Sequence, residues 1–344
     1  MDTCFFLAAN SRSGFCSLYE GFPENEGVFL HIIKGGPGTG KSGFMRRIAA
    51  AAGERRMDTE QIICSGDPDS LDALYVPELG QAWIDGTAPH VREPQAFAVD
   101  ADYVNLGRFC RTPLNTRDSE SAAELNAAYR KVYAGAYRLL SAAGETANAY
   151  DPAWSERMPE DDRELARRIV DRMVEGRTES GPALRRRFLS ANSCRGRLRL
   201  KSTVEKLCKQ IYVIDDADRG ANALLKTALQ EAQEKGMSVI LCPDPLEPDR
   251  AEAVLLPGCS AAIVAGDWGF AGAEKLKTAA ADSFGRTSEL SEGQRITERL
   301  LSAAYGKLAQ AKALHDALES VYRPYMDFAA LTEYTDSVIE KLFM

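Results

Sequence analysis

Short apolar runs alternate along this chain with helically spaced apolar positions, and each run closes on a turn. Residues 28–33 (Val-Phe-Leu-His-Ile-Ile) predict a buried strand. Behind it, Phe44, Met45, Ile48 and Ala49 recur at i, i+1, i+4, i+5 up to Gly53, which is one face of a helix. Gln61-Ile-Ile-Cys64 reads as a second strand and Gln81-Ala-Trp-Ile-Asp85 as a third, running into the loop Gly86-Thr-Ala-Pro-His90. Nearer the start, residues 4–9 predict a short strand entering a polar turn, Asn10-Ser-Arg-Ser-Gly14, and residues 15–21 a helix. Strands alternating with helices predict an α/β fold with parallel sheets.

The same order returns about 180 residues later. Phe188-Leu-Ser-Ala-Asn-Ser-Cys-Arg-Gly196 repeats Phe6-Leu-Ala-Ala-Asn-Ser-Arg-Ser-Gly14. Residues 210–214 answer the first strand, with Tyr212 and Val213 opposite Ile32 and Ile33, and residues 238–242 and 260–264 answer the second and third. Leu224, Leu225, Ala228 and Leu229 fall opposite the apolar face of the first helix, and Ala303-Ala-Tyr305 matches Ala127-Ala-Tyr129. Each half closes on sequence rich in Ala, Leu, Arg and Glu: residues 122–140 and 161–174, then 292–322 and 328–343, with breaks at Ala143-Gly144, Pro152 and Pro324. These segments predict one helical hairpin per half. The polar stretch Gly176-Arg-Thr-Glu-Ser-Gly-Pro182 sets the boundary, giving lobes 1–180 and 181–344.

The chemistry concentrates between the first strand and its helix. Gly35, Gly36, Pro37, Gly38, Thr39, Gly40, Lys41 and Ser42 match G-x-x-x-x-G-K-[ST], the phosphate-binding loop, and Gly43 follows in the first helical turn. Glycines let successive N–H groups close around phosphate oxygens, the helix points its positive end at the anion, Lys41 reaches the β- and γ-phosphates, and Ser42 offers a hydroxyl to Mg²⁺. Asp85, at the end of the third strand, is the candidate water-mediated Mg²⁺ carboxylate, and a turn-forming role before Gly86 is its alternative. A rival places the metal carboxylate in Ile211-Tyr-Val-Ile-Asp-Asp216, an apolar strand ending in two acids. His90 is a candidate to orient an attacking water or sense the γ-phosphate. Asp67 and Asp69 read first as turn or cap residues.

In the second copy the chemistry is lost. Asp215-Asp-Ala-Asp-Arg-Gly-Ala-Asn222 stands opposite the loop, Ala221 opposite Lys41 and Ala265 opposite Asp85, with three carboxylates where phosphate would lie. The second lobe is therefore expected to be a degenerate copy that keeps its core, folds from residue 181 onward, if need be only beside its partner lobe, and binds no ATP.

Composition narrows the function. A net charge of −8 disfavours nucleic acid as a general partner. The one basic stretch, Arg185-Arg-Arg187 with Arg195, Arg197, Arg199 and Lys201, lacks interleaved aromatics and reads as a solvated face. Eight cysteines without a C-x-x-C pair suit reduced thiols, and no apolar run reaches membrane-spanning length, so a cytoplasmic protein is expected.

The turn Asn10-Ser-Arg-Ser-Gly-Phe15, the Gly35 to Ser42 loop, Asp67-Pro-Asp-Ser-Leu71, Pro77-Glu-Leu79 and Asp85-Gly-Thr-Ala-Pro-His90 together resemble a Firmicutes-type family of bacterial tandem P-loop ATP-binding proteins regarded as ATPases. The resemblance covers both halves and implies two tandem P-loop NTPase-like lobes with ATP as ligand. In that family a phosphate loop can occur in both halves, and this second half departs from it. The expected function is Mg²⁺-dependent ATP binding with hydrolysis. The alternatives are a small-molecule kinase, with Asp67, Asp69 or His90 at the acceptor, and a nucleotide-gated regulatory module with a protein partner or a second copy.

Overall fold

The computed structural model describes residues 2–24, 27–88, 91–150, 160–176, 183–214, 220–278 and 288–344. The first half contains β1 (Asp2–Phe5), β2 (Ala8–Ser11), β3 (Gly14–Ser17), β4 (Phe29–Lys34), α1 (Lys41–Glu54), β5 (Thr59–Ile63), β6 (Leu71–Val76), β7 (Gln81–Asp85), β8 (Ala101–Asn105), α2 (Thr116–Ala149) and α3 (Glu160–Val174). The second contains β9 (Leu184–Arg186), β10 (Ser190–Ser193), β11 (Gly196–Arg199), α4 (Lys201–Leu207), β12 (Gln210–Ile214), α5 (Ala221–Glu234), β13 (Val239–Pro243), β14 (Ala251–Leu256), β15 (Ala261–Ala265), β16 (Glu274–Leu276), α6 (Ser288–Tyr322) and α7 (Phe328–Leu342).

Each half supplies a six-stranded sheet flanked by helices, and the orders correspond strand for strand: β1-β5-β6-β7-β4-β8 and β9-β13-β14-β15-β12-β16. Both break register at one place, Ile62/Ile63 and Cys242/Pro243. The sheets are mixed, which corrects the expected parallel arrangement: β6 runs antiparallel to β5 and β7, as β14 does to β13 and β15. The cause is local. Pro77, Glu78 and Leu79 form a single 3-10 turn before β7, too short for the crossover that a parallel neighbour needs.

The strand alignment also shifts by one. Ile33 pairs with Asp85 and Ile214 with Ala265, and the Gly86 and Gly266 N–H groups donate to the carbonyls of Ile33 and Ile214. Ile32 and Ile33 therefore correspond to Val213 and Ile214, not to Tyr212 and Val213. Between the equivalent strand residue and the helix start, seven residues follow Ile33 in the first copy and six follow Ile214 in the second. An apolar run slides by one position without changing its pattern, so the missing loop residue was invisible in the pattern alone.

The Asn-Ser segments are hairpins, β2 with β3 and β10 with β11. The helix expected over residues 15–21 is instead β3 followed by a 3-10 turn, Tyr19–Gly21. The two hairpins meet. Asn10 Nδ2 donates to the Asn192 carbonyl at 2.8 Å, and Asn192 Nδ2 returns the bond to the Asn10 carbonyl at 2.9 Å. Phe6 and Phe188 exchange backbone N–H···O bonds, both 2.9 Å. Tyr137 donates its hydroxyl to Asn10 Oδ1 at 3.1 Å and Tyr305 to Asn192 Oδ1 at 3.0 Å. Such reciprocity defines a pseudo-two-fold axis between the copies. It equates Tyr305 with Tyr137, not Tyr129, because Ala-Ala-Tyr on an Ala-rich helix carries no register of its own.

The helical hairpins expected within each half are also corrected. α2 continues unbroken through Ala143-Gly144, where the Arg12 side chain lies 2.6 Å from the position of a β-carbon on Gly144. Its partner is α6 from the other half, antiparallel: Tyr325, just beyond the end of α6, bonds Asp118 near the start of α2, and Tyr150 lies against Gly293. α3 leaves the first lobe and packs Ala166, Ile169, Val170 and Met173 into the second core beside Leu224, Leu225 and Ala228. α7 makes the reciprocal move. Its Leu331, Tyr334 and Val338 pack with Phe44, Met45 and Ile48 of α1.

The basic stretch is only in part a solvated face: Arg186, Arg195 and Arg199 are exposed, but Arg187 and Arg197 turn to acids. Arg187 is 2% exposed and bonds Glu60 and Glu24, tying β9 to the first half. Arg197 joins Asp244 and Glu252, and burial pushes the Glu252 carboxyl up while the guanidinium beside it opposes the shift. All eight cysteines are free thiols, and among the described residues no helix is long and apolar enough to cross a membrane.

Each half thus lacks a helix of its own core, and its fragment is a poor folding unit. Fragments 1–180 and 181–344 are each expected to be unfolded or aggregated alone and to associate when co-expressed; a cooperative melt of fragment 181–344 alone contradicts the exchange. Asn10→Ala removes one donor and leaves the Asn192 carbonyl and Tyr137 hydroxyl without partners, a cost of about 2–4 kcal/mol read from chemical denaturation.

Candidate functional site

The Gly-rich loop leaves β4 at the inside of the first sheet, between β7 and β8, and enters α1 at Lys41. Gly38 and Gly40 adopt φ of +69° and +86°, a region L-residues avoid, so glycine is required by the backbone itself at these two positions. Thr39 is buried and its hydroxyl donates to the Gly36 carbonyl at 2.9 Å, which closes the turn.

Lys41 folds back over this loop. Its ammonium donates to the carbonyls of Gly35 at 3.1 Å and Gly36 at 3.0 Å, and lies 3.6 Å from Asp85 Oδ2. Asp85 divides its carboxylate: Oδ1 accepts the Thr87 N–H at 2.9 Å and hydroxyl at 2.6 Å, while Oδ2 faces the lysine. Asp85 is thus a turn former, the second of its two readings, and its other oxygen lies beside the loop's cation.

Ser42 Oγ accepts the Leu71 N–H at 2.9 Å and Arg46 Nε at 3.3 Å. Its counterpart Asn222 accepts the Ala251 N–H through Oδ1, also at 2.9 Å. One task of this position is therefore architectural in both copies, docking the helix start onto the first residue of β6 or β14. At the neighbouring position the copies differ: Lys41 and Ala221 each begin their helix, and Ala221 is fully buried.

Asp67 forms a turn, as expected, accepting the Ser70 hydroxyl at 2.8 Å, and it also faces Lys312 of α6 at 3.5 Å. Asp69 pairs with Arg195, and Arg46 donates to the Asp69 carbonyl. Behind the loop, burial and then Asp72 push the Tyr19 hydroxyl and the Cys64 thiol well up, so both stay neutral. His90 lies outside the described residues, as do Asp215, Asp216 and Asp218.

Two residues at the loop come from helices that sequence reasoning never connected with it. Glu319 of α6 accepts the Gly38 N–H at 3.3 Å, and Leu331 of α7 lies 2.8 Å from where a β-carbon on Gly40 would sit. No spacing signals either, because each is brought there by the exchange of helices between halves. Compared with models of known protein families, with curated proteins and with solved structures, the chain shows no match.

Gly40→Ala combines left-handed backbone strain of roughly 1–2 kcal/mol with the Leu331 clash and is expected to lower the melting temperature. Gly43, inside α1, has nothing within 4 Å of its β-carbon position, so Gly43→Ala is expected to stabilise by about 0.5–1 kcal/mol. Equal melting temperatures for the two variants contradict this geometry.

Proposed function

We propose that the first lobe binds Mg²⁺–ATP at the Gly35 to Ser42 loop and hydrolyses it, while the second lobe serves as a structural or regulatory copy without a nucleotide site. The observation that carries this reading is Lys41, a half-buried ammonium bonded to the carbonyls of its own loop and beside Asp85. Those bonds are exchangeable for phosphate oxygens without moving the backbone. The sequence resemblance to tandem P-loop ATP-binding proteins supports the same reading.

The donor set fits the ligand. Gly38 and Gly40 shape a cup of backbone N–H groups, α1 contributes the positive end of its dipole, and Lys41 neutralises charge developing on the phosphoryl group. Ser42 Oγ, which accepts from Arg46, would hold a bound Mg²⁺ directly, and the Asp85 carboxylate beside Lys41 would hold it through water. Bound Mg²⁺ supplies charge neutralisation at the phosphates. In the second lobe, Ala221 and Ala265 stand in place of the lysine and the acid.

A nucleotide-gated module, with slow turnover, is the second reading. What favours it is that Gly38 and Gly40 touch α6 and α7, so the loop reports to helices of the other half.

Lys41→Ala is expected to weaken ATP binding at least about tenfold by calorimetric titration with little change in melting temperature, since the ammonium bonds only loop carbonyls and a partly exposed acid. Unchanged affinity removes the loop as the nucleotide site. Asp85→Asn is expected to lower Mg²⁺-dependent phosphate release by about a hundredfold or more while ATP affinity changes by less than about fivefold. Equal losses in binding and turnover contradict the metal role.

A further inference from the structure

The phosphate loop already holds an anion of the protein's own. Glu319, in the last turn of α6, places Oε1 on the Gly38 N–H at 3.3 Å. The approach is close: a β-carbon on Gly38 would lie 3.1 Å from the Glu319 carbonyl oxygen and 3.3 Å from its Cβ. A positive-φ glycine turn presents N–H groups in a concave array that takes an anion, and a carboxylate satisfies it as a phosphate oxygen does.

The surroundings of Glu319 make this contact releasable. Its side chain is 44% exposed, so it has room to swing into solvent. His315, one turn back on α6, holds Nδ1 3.7 Å from the same carboxylate oxygen. Lys312, a further turn back, is committed to Asp316 and Asp67, and those two acids outweigh burial to raise its pKa. The one described carboxylate bonded to the loop's N–H cup is therefore delivered from the second half.

We propose that Glu319 is an internal phosphate surrogate, occupying the Gly38 N–H until a nucleotide phosphate displaces it. The proposal rests on the loop being a nucleotide site and adds a regulatory contact to it. Two anions compete for one donor, and a phosphate bound beside the carboxylate is repelled by it, so displacement is part of binding. α6 lies along α2 and continues through Arg323–Tyr325 into α7, which covers α1. Release of Glu319 therefore acts at the junction where both halves share a helical layer.

The test is calorimetric titration of ATP into the full-length protein as wild type, Glu319→Gln, Glu319→Ala and Lys41→Ala. Removing the competing charge is expected to tighten ATP binding roughly three- to tenfold in both Glu319 variants, with Ala at least as tight as Gln. The gain is expected to shrink as salt is raised, since the partly exposed carboxylate acts through screened repulsion. A merely structural tie lowers the melting temperature of Glu319→Ala and leaves ATP affinity equal or weaker; that result, with wild type binding ATP and Lys41→Ala not, overturns the proposal alone. If none of the four proteins binds ATP, the nucleotide reading of the loop fails and the surrogate role falls with it.

Discussion

Two buried asparagine side chains organise this molecule. Asn10 and Asn192 each donate to the other's backbone carbonyl, and each accepts from a tyrosine of the long helix of its own half. Every polar atom in this set needs its partner, because an unpaired buried amide loses its hydration without recompense. The two hairpins are thereby held at one distance and one angle. Given that fixed crossing, the sheets, the α2–α6 pair and the exchanged α3 and α7 follow as symmetric consequences. A sequence feature shared by both copies is thus explained by their mutual recognition rather than by ligand chemistry.

The exchange of helices makes the duplication obligate. Either half supplies six strands, but one face of its central helix, α1 or α5, is covered by a helix of the other half. Burial of four or five such side chains contributes on the order of 5–10 kcal/mol per lobe, comparable to the whole stability of a domain. The second copy carries Ala221 and Ala265 at the positions of Lys41 and Asp85 and keeps the apolar core. Arg187, buried against Glu60 and Glu24, adds an ion pair across the same junction.

The same exchange builds the candidate site from both halves. Strand, loop and lysine come from the first, while Glu319 and Leu331 arrive from the second. Gly38 and Gly40 consequently answer to two demands, a left-handed backbone and the close approach of foreign helices. The loop is held both by its own backbone and by the packing of α6 and α7.

Local chemistry alone determined the strand, the glycine loop, the helix after it, Lys41 and Asp85, because each depends on residues within a few positions of one another. The repeat was likewise legible, since apolar periodicity survives divergence wherever a core must be filled. What the tertiary structure decided was every relation across distance. The antiparallel β6 depended on a turn too short for a crossover, and the one-residue slip at Ile33 on a hydrogen-bond register that an apolar run does not encode. Arg187 and Arg197 look like surface charge in a string of letters, and only the fold brings acids from distant strands to them, burying Arg187 and half-burying Arg197. Glu319 reaches Gly38 across almost the whole chain, and only the crossing of two helices about one pseudo-two-fold axis brings that carboxylate to that N–H.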